Sequence, residues 1–535
     1  VKFDPLYHPN PSFRSPVYAK NGMVATSQPL AAQAGLEILR KGGNAIDAAI
    51  AAATALTVVE PCSNGIGGDA FALVWHNGQL HGLNGSGPAP ASISIDSIRE
   101  QGYETMPSYG AQTVTVPGAP ATWAALSETF GRLSLEETLQ PAIQYAEEGY
   151  PVSPVVAYNW GKAFNQYREQ LKGESFKHWF DLFAPQGRAP KAGELWRSPD
   201  HGATLRRLAH NIRDFYEGEL AEKIGAFVTG AGGYLTADDL RAYRTEWVEP
   251  IHVSYRGYDV WELPPNGQGM VALQALGILE GYERHAPNDR VTVHRQIEAM
   301  KLAFADGRHY ISDPSFMQRS PQDLLSSAYL AQRRALITDQ ALLPEPGTPK
   351  LGGTVYLATA DREGNMVSFI QSNYMGFGSG LVVPGTGIAL QNRGRDFSLD
   401  PEHVNALQPG KKTYHTIIPG FLTKGGQPVG PFGVMGGVMQ PQGHVQTLMN
   451  TLDFHLHPQA ALDAPRWQWT GGKTVLVEPH FPAALAQALS RQGHDIRFAV
   501  ESGSFGRGQL IWRDLTTGML VGGTDSRADG MVAAW

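Results

Sequence analysis

The run AAIAAATALTVV, Ala48 to Val59, is apolar on every side of a helical wheel. Such a helix has no face to offer water and must be covered all round, so it marks the centre of the fold. At 12 residues it is too short to cross a bilayer. Its start is also marked. Gly42-Gly43 ends a preceding helix, SQPLAAQAGLEILRK, and Asn44 is an N-cap with Asp47 three residues on, placed to bond back. With 42% hydrophobic and only 17% charged residues among 535, there is ample apolar material to surround this helix.

Two textures follow one another along the chain. Up to residue 353, amphipathic helices dominate, at APATWAALSETFG, SLEETLQPAIQYAEEG, GATLRRLAHNIRDFYEGELAEKIGAFV, QGMVALQALGILEGY and VTVHRQIEAMKLAFADGRHYI. PIHVSYRGYDVWELPP reads as strands between two of them. From residue 354 onward strands dominate. TVYLATAD, turn REGN and MVSFIQSNY form a hairpin, and further strands are expected at LVVPGTGIALQN, YHTIIPGFLTK, TVLVEP and GQLIWRDLTTGMLVGGTD. No repeat recurs at a fixed period.

Composition excludes several classes. A net charge of −7 with no basic stripe argues against nucleic acid or a membrane as partner. One cysteine, Cys62, excludes an internal disulfide framework. It follows an apolar helix and lacks an activating neighbour, so it is not read as a nucleophile. The start, VKFDPLYHPN, shows no charged region followed by an apolar one. The expectation is a cytoplasmic protein, or a periplasmic or secreted one if a signal has been trimmed. G-x-S-x-G, HExxH and P-loop sequences are absent. GIGGDA (Gly65 to Ala70) matches G-x-G-x-x-A but precedes a strand, the reverse of the dinucleotide context. The 17 histidines show no metal-ligand spacing, and neither metal nor cofactor is expected.

One junction stands out. A Pro/Gly-rich stretch, LPEPGTPKLGG (Leu343 to Gly353), runs directly into the hairpin at Thr354. Gly-Gly-Thr by itself carries little, because the chain contains eight Gly-Gly pairs and a second Gly-Gly-Thr at Gly522 to Thr524. The setting carries more: a flexible leader before the threonine and a central-looking hairpin after it. The plain reading is a loop entering a sheet; the sharper one is a new amino terminus, since attack of the Thr354 hydroxyl on the Gly353 carbonyl would turn the peptide into an ester, and hydrolysis would free the threonine amine. Gly353 has no Cβ to obstruct that approach. The freed α-amine has an ordinary pKa of about 8 and serves as base beside its own hydroxyl. The β-methyl restricts χ1 and keeps the hydroxyl aimed. Gly436-Gly437, in VMGGVMQPQG, offers unobstructed backbone N–H groups for an oxyanion.

These residues resemble the γ-glutamyltransferase (glutathione hydrolase) family of proenzymes, which are N-terminal-nucleophile hydrolases. The likeness is collinear over nearly the full chain: GGNAIDAAIA, GIGGDAF, VPGAPATWAALSETFG, QPAIQYAEEGYPVS, FYEGELAEKI, GGYLTADDLRAY, YRGYDVWELPPNGQG, EAMKLAFADGRHYISDP, TVYLATADREGNMVSF, GFGSG, DFS, MGG and GGTDSRADG. It implies an α+β fold, a four-layer αββα sandwich, cleaved between Gly353 and Thr354. The products are a large subunit (1–353) and a small one (354–535), intertwined as one domain. It implies Thr354 as nucleophile, Ser372 as the hydroxyl bonded to it, and Gly436 and Gly437 as the oxyanion pair. Asp396, in RDFS, matches the carboxylate that holds the substrate's amino group; by itself it also reads as a turn cap.

This chain departs from the family where the substrate's carboxylate is held. Ser86, in NGSGPAPAS, takes the place of the family's clamping arginine. His415-Thr416 aligns with its serine pair, and Arg393 with a glutamine near the pocket. The segment from Asp396 to His415 is too short for the lid of many members. The resemblance is thus to a short-lid, arginine-lacking branch. The leading expectation is cleavage of γ-glutamyl, glutathione-like amides through a Thr354 ester, with water or an amino-acid or peptide acceptor. An acylase for glutaryl-type amides, like the cephalosporin acylases, is the alternative. A non-catalytic binding protein on the same fold is the reading from another class.

Overall fold

The computed structural model describes residues 14–344 and 353–535. Most of the Pro/Gly leader, residues 345–352, lies outside them. The helix Ala45–Val59 is buried at every residue. Its capping box forms: the Asn44 side chain accepts from the Ile46 and Asp47 N–H groups, and Asp47 accepts from the Asn44 N–H at 2.9 Å. Asp361, at the far end of the Thr354 strand, accepts from the Ala45 N–H at 2.9 Å. A negative carboxylate at a helix N-terminus is favourable, and here it ties the central helix to the hairpin.

Two seven-stranded sheets stack face to face. The first runs Met531–Ala534, Gly22–Thr26, Gly353–Asp361, Met366–Tyr374, Asp69–His76, Gln79–Gly85 and Glu246–Val248. The second runs Val17–Ala19, Leu520–Thr524, Arg507–Arg513, Gln427–Met435, Gly420–Lys424, Tyr258–Glu262 and Ile251–Tyr255. Every pairing within them is antiparallel. Each sheet takes strands from both sides of residue 353, so the two stretches of chain share one core.

The side-chain period of two sorts the hairpin between layers. Val355, Leu357, Val367 and Phe369 face a core shared with helices Pro29–Arg40, Ala45–Val59 and Ala119–Phe130. Tyr356, Ala358, Ala360 and Ile370 face the other sheet, meeting Phe421, Met435 and Ile511. That sheet's outer face, including Leu422, Phe432 and Trp512, packs on helices Gly269–Glu280, Arg290–Tyr310 and Met439–Leu452. The order helix, sheet, sheet, helix is the αββα sandwich.

The stretch Leu381–Asn392, expected as strand, is a loop with isolated bridges Val382↔Ala389 and Gly67↔Leu390. Gly385 and Gly387 adopt φ of +64° and +71°, which bend the chain before a ladder can extend. Tyr414–Ile418 likewise makes only the bridge Gly267↔His415, and the strand begins at Gly420.

Candidate active site

Thr354 is the second residue of its strand and is buried in the intact chain. The hairpin ladder is regular from Ala360↔Met366 to Val355↔Gln371, then slips so that Gly353 opposes Tyr374. The extra residue on the returning strand is a β-bulge, a device that re-aims side chains beside functional sites. Thr354 Oγ1 donates to Ser372 Oγ at 3.1 Å, and Ser372 Oγ also accepts the Tyr374 N–H at 2.8 Å. Tyr374 sits at φ +76°, an uncommon backbone for a non-glycine residue. The bulge and this left-handed residue turn the Tyr374 side chain toward Asp396, 22 residues on.

Gly436 and Gly437 lie where strand Gln427–Met435 enters helix Met439–Leu452, with φ of +138° and +58° that favour glycine. Their carbonyls accept from the N–H groups of Met439 and Gln440, in the first turn of that helix. Gln268 Nε2 donates to the Gly437 carbonyl at 2.9 Å and to the Thr416 carbonyl at 2.6 Å. One side chain therefore links the glycine pair to the residues matched to substrate binding.

Those residues form a single buried polar cluster. Tyr374 Oη donates to Asp396 Oδ1 at 2.5 Å. Arg393 Nη1 lies 3.6 Å from Asp396 Oδ2 and donates to Thr416 Oγ1 at 2.9 Å. The Arg393 guanidinium stacks 4.0 Å over the Tyr374 ring. Asp396 thus does not act as a turn cap; its carboxylate turns back toward Tyr374 and Arg393. Arg393 is fully buried, and burial pulls its pKa down while Asp396 props it up. Its Nε and Nη2, and Asp396 Oδ2, have no hydrogen-bond partner among the described residues.

His415 Nε2 lies 3.0 Å from Asp69 Oδ2, and His415 Nδ1 accepts the Ile417 N–H at 3.4 Å. The proton is thereby assigned to Nε2, which donates to Asp69. Asp69 Oδ1 accepts from the Gly118 and Gly87 N–H groups and from Gln391 Nε2. Burial pushes the Asp69 carboxyl up to about 7 against the pull of the Arg393 charge. Burial, and then Arg393, hold His415 well below the ordinary histidine range. Ser86 is no vacancy. Its hydroxyl donates to Asn84 Oδ1 at 2.7 Å and accepts from Asn266 Nδ2 at 3.2 Å, in a cage closed by Asn84 Nδ2 to Asn266 Oδ1 at 3.0 Å. An arginine there would bury a charge among amides already paired with one another.

The structure therefore brings Ser86, Arg393, Asp396, His415 and Thr416 together, and adds Asp69, Tyr374, Asn266 and Gln268. Asp69 lies in GIGGDAF and Asn266 and Gln268 in ELPPNGQG, motifs in which nothing local marks these three residues as part of a site. A cleft of about 670 Å³ runs beside Asp396, lined by Met106, Arg308, Arg395, His403 and Tyr414. A second, of about 910 Å³, reaches Asn84 and Asn266 past Arg244, Asp313 and Lys412.

Away from the site, buried His294, Glu298 and His494 bring ligating atoms within 4.8 Å of one another, a convergence that spacing alone did not reveal. Lys301 Nζ lies 2.7 Å from Glu298 Oε1 and already neutralises it. His294 Nε2 is 2.7 Å from the Thr338 carbonyl, and Glu298 Oε2 accepts the Leu342 N–H at 3.0 Å, so this group pins residues 338–342. A divalent cation there would add uncompensated buried charge.

The family model described as Gamma-glutamyltranspeptidase matches residues 31–535. The solved cephalosporin acylase from Bacillus halodurans is 64% identical, with a TM-score of 0.96 over 100% of this chain and 99% of its own. The glutathione hydrolase-like YwrD proenzyme of Bacillus subtilis is 38% identical over 95% of this chain and 97% of its own. The oxamate amidohydrolase proenzyme of Klebsiella pneumoniae is 35% identical over 96% and 98%.

Proposed function

Because the chain belongs to the γ-glutamyltranspeptidase family, we propose that it is a self-cleaving amide hydrolase whose preferred acyl group ends in a carboxylate and lacks an ammonium group. It is an acylase in this reading, rather than a glutathione hydrolase. The observation that carries it is the contact of Arg393 with Asp396. A γ-glutamyl ammonium group needs a carboxylate to receive it, and Asp396 already faces one cation and accepts the Tyr374 hydroxyl. An acyl carboxylate instead suits Arg393, whose Nε and Nη2 are buried without a hydrogen-bond partner among the described residues. The names of the relatives agree in one respect: each denotes an amide hydrolase or a hydrolase proenzyme, and oxamate is itself a carboxylate without an ammonium group.

Cleavage before Thr354 frees its α-amine. The amine takes the proton of Oγ1 as that oxygen attacks the amide carbonyl, and the N–H groups of Gly436 and Gly437 receive the oxyanion. Collapse of the tetrahedral intermediate breaks the C–N bond, and the ammonium returns the proton to the leaving amine. Water, activated by the same amine, then hydrolyses the ester; an amine in its place would give transfer. Ser372 Oγ, bonded to Thr354 Oγ1, steadies the nucleophile.

The test compares glutaryl and γ-glutamyl anilides on the processed enzyme. The expected result is a kcat/KM at least about tenfold higher for the glutaryl substrate, on the scale of one charge-assisted hydrogen bond. A preference for the γ-glutamyl anilide would overturn the acylase reading in favour of a glutathione hydrolase, the activity in the name of the Bacillus subtilis relative.

A further inference from the structure

We propose that the Asp69–His415 pair takes up a proton when an acyl carboxylate binds at Arg393, so that anion binding and protonation are one coupled event. The inference rests on the reading of the site as one for a carboxylate-bearing acyl group. Its basis is the charge count of the cluster. Asp69 and Asp396 are two carboxylates around the one buried guanidinium of Arg393, and His415 is neutral; Arg308 stands farther out, over the Tyr414 ring in the cleft beside Asp396. A substrate carboxylate adds a further negative charge, in a place where Asp69, Arg393 and His415 are all fully buried. Uncompensated charge in such surroundings is costly, and uptake of a proton removes one negative charge.

The two carboxylates differ in their partners. Asp396 faces Arg393 directly and accepts the Tyr374 hydroxyl. Asp69 is held by neutral donors, the Gly87 and Gly118 N–H groups and Gln391, with His415 on its other oxygen. Other charged or titratable groups also face the pair. Lys412, on the His415 side, is 2.7 Å from Glu246. Tyr216 and Tyr243, toward Asp69, are buried phenols held well above their ordinary range. The proton belongs to the pair: it rests on an Asp69 oxygen, or on His415 Nδ1 in place of the long bond from the Ile417 N–H. No bond to substrate forms or breaks in this step, and solvent supplies the proton. The position of the Asp69 carboxyl, near 7, puts the coupling in the physiological range.

Isothermal calorimetry on the processed wild-type enzyme tests it, with glutarate as the probe, in phosphate and in Tris at pH 6 and pH 8. The difference between buffers reports protons taken up. The expected result is close to one proton at pH 8 and few at pH 6, with affinity falling about tenfold per pH unit well above 7. Binding at pH 8 without proton uptake overturns the proposal and leaves the acyl-carboxylate reading standing. Failure of glutarate to bind at either pH overturns that reading instead. Asp69→Asn should abolish the uptake; uptake that persists in that variant would assign the proton elsewhere and overturn the proposal as well.

Discussion

The reacting corner and the acyl corner of this site meet at one bulge yet are built on different physics. Around Thr354 the groups proposed to carry the reaction are hydroxyls and glycine backbone, Ser372 and Gly436-Gly437. Around Arg393 a guanidinium, the Asp69 carboxylate, an imidazole and a phenol are buried together, with the Asp396 carboxylate at the edge of the cleft. A corner of neutral donors stabilises any amide's oxyanion and is indifferent to what the acyl group carries. A corner of buried charges is selective, because each added or missing charge leaves a partner uncompensated. On the roles proposed above, chemistry and choice of substrate can change independently on this scaffold.

Breaking the reacting corner should have the largest effect. Wild-type chain of 57.9 kDa is expected to split into pieces of about 38 and 20 kDa, in proportion to residues 1–353 and 354–535. Thr354→Ala should remain whole and lose activity by roughly a thousandfold or more, since a nucleophile acts as a unit with its base. Electrophoresis and Edman sequencing of the small fragment check this. A first residue other than Thr354, or cleavage of the alanine variant, would remove the corner's assigned role.

Arg393→Gln should alter the acyl corner while leaving Thr354, Ser372 and the glycine pair in place. Losing the guanidinium frees Asp396 to accept an ammonium group and removes the cation for a carboxylate. The ratio of kcat/KM for γ-glutamyl over glutaryl anilide should rise by about ten- to a hundredfold, the scale of one hydrogen bond to a charged group. Equal losses on both substrates would mean that Arg393 supports the fold and does not choose the acyl group.

The two corners also differed in how much the sequence disclosed. The central helix and the hairpin were legible because their apolar residues repeat with the period of one element, and Thr354 because the leader breaks off against that hairpin. Ser86, Arg393 and His415-Thr416 were legible only as departures from a family pattern. What each touches depends on contacts between residues far apart in sequence, such as His415 with Asp69, 346 residues away. Asp69 was obscured by lying in a glycine loop that imitates a nucleotide motif. Nothing local in the sequence announces a positive φ on a tyrosine, so the place of Tyr374 in the site is visible only in the structure. The expected strand at Leu381–Asn392 is absent for the converse reason: its apolar alternation is real, but two glycines with positive φ turn the chain first.

Tyr374→Phe is the mildest and most discriminating change, because this residue touches both corners. Its N–H bonds to Ser372 Oγ and its hydroxyl to Asp396. Phenylalanine keeps the backbone, the N–H and the ring beneath Arg393, so only the hydroxyl bond to Asp396 is lost. Asp396 then has Arg393 as its remaining charged neighbour and draws the guanidinium toward itself, in competition with a substrate carboxylate. KM for glutaryl anilide should rise about three- to tenfold, the range of one hydrogen bond after partial compensation, while kcat moves less. Steady-state kinetics on processed enzyme separate the two constants. If kcat falls instead and KM holds, the phenol acts through its own backbone on Ser372 and Thr354. The bulge would then couple charge recognition to nucleophile geometry, and the independence of the two corners would be lost.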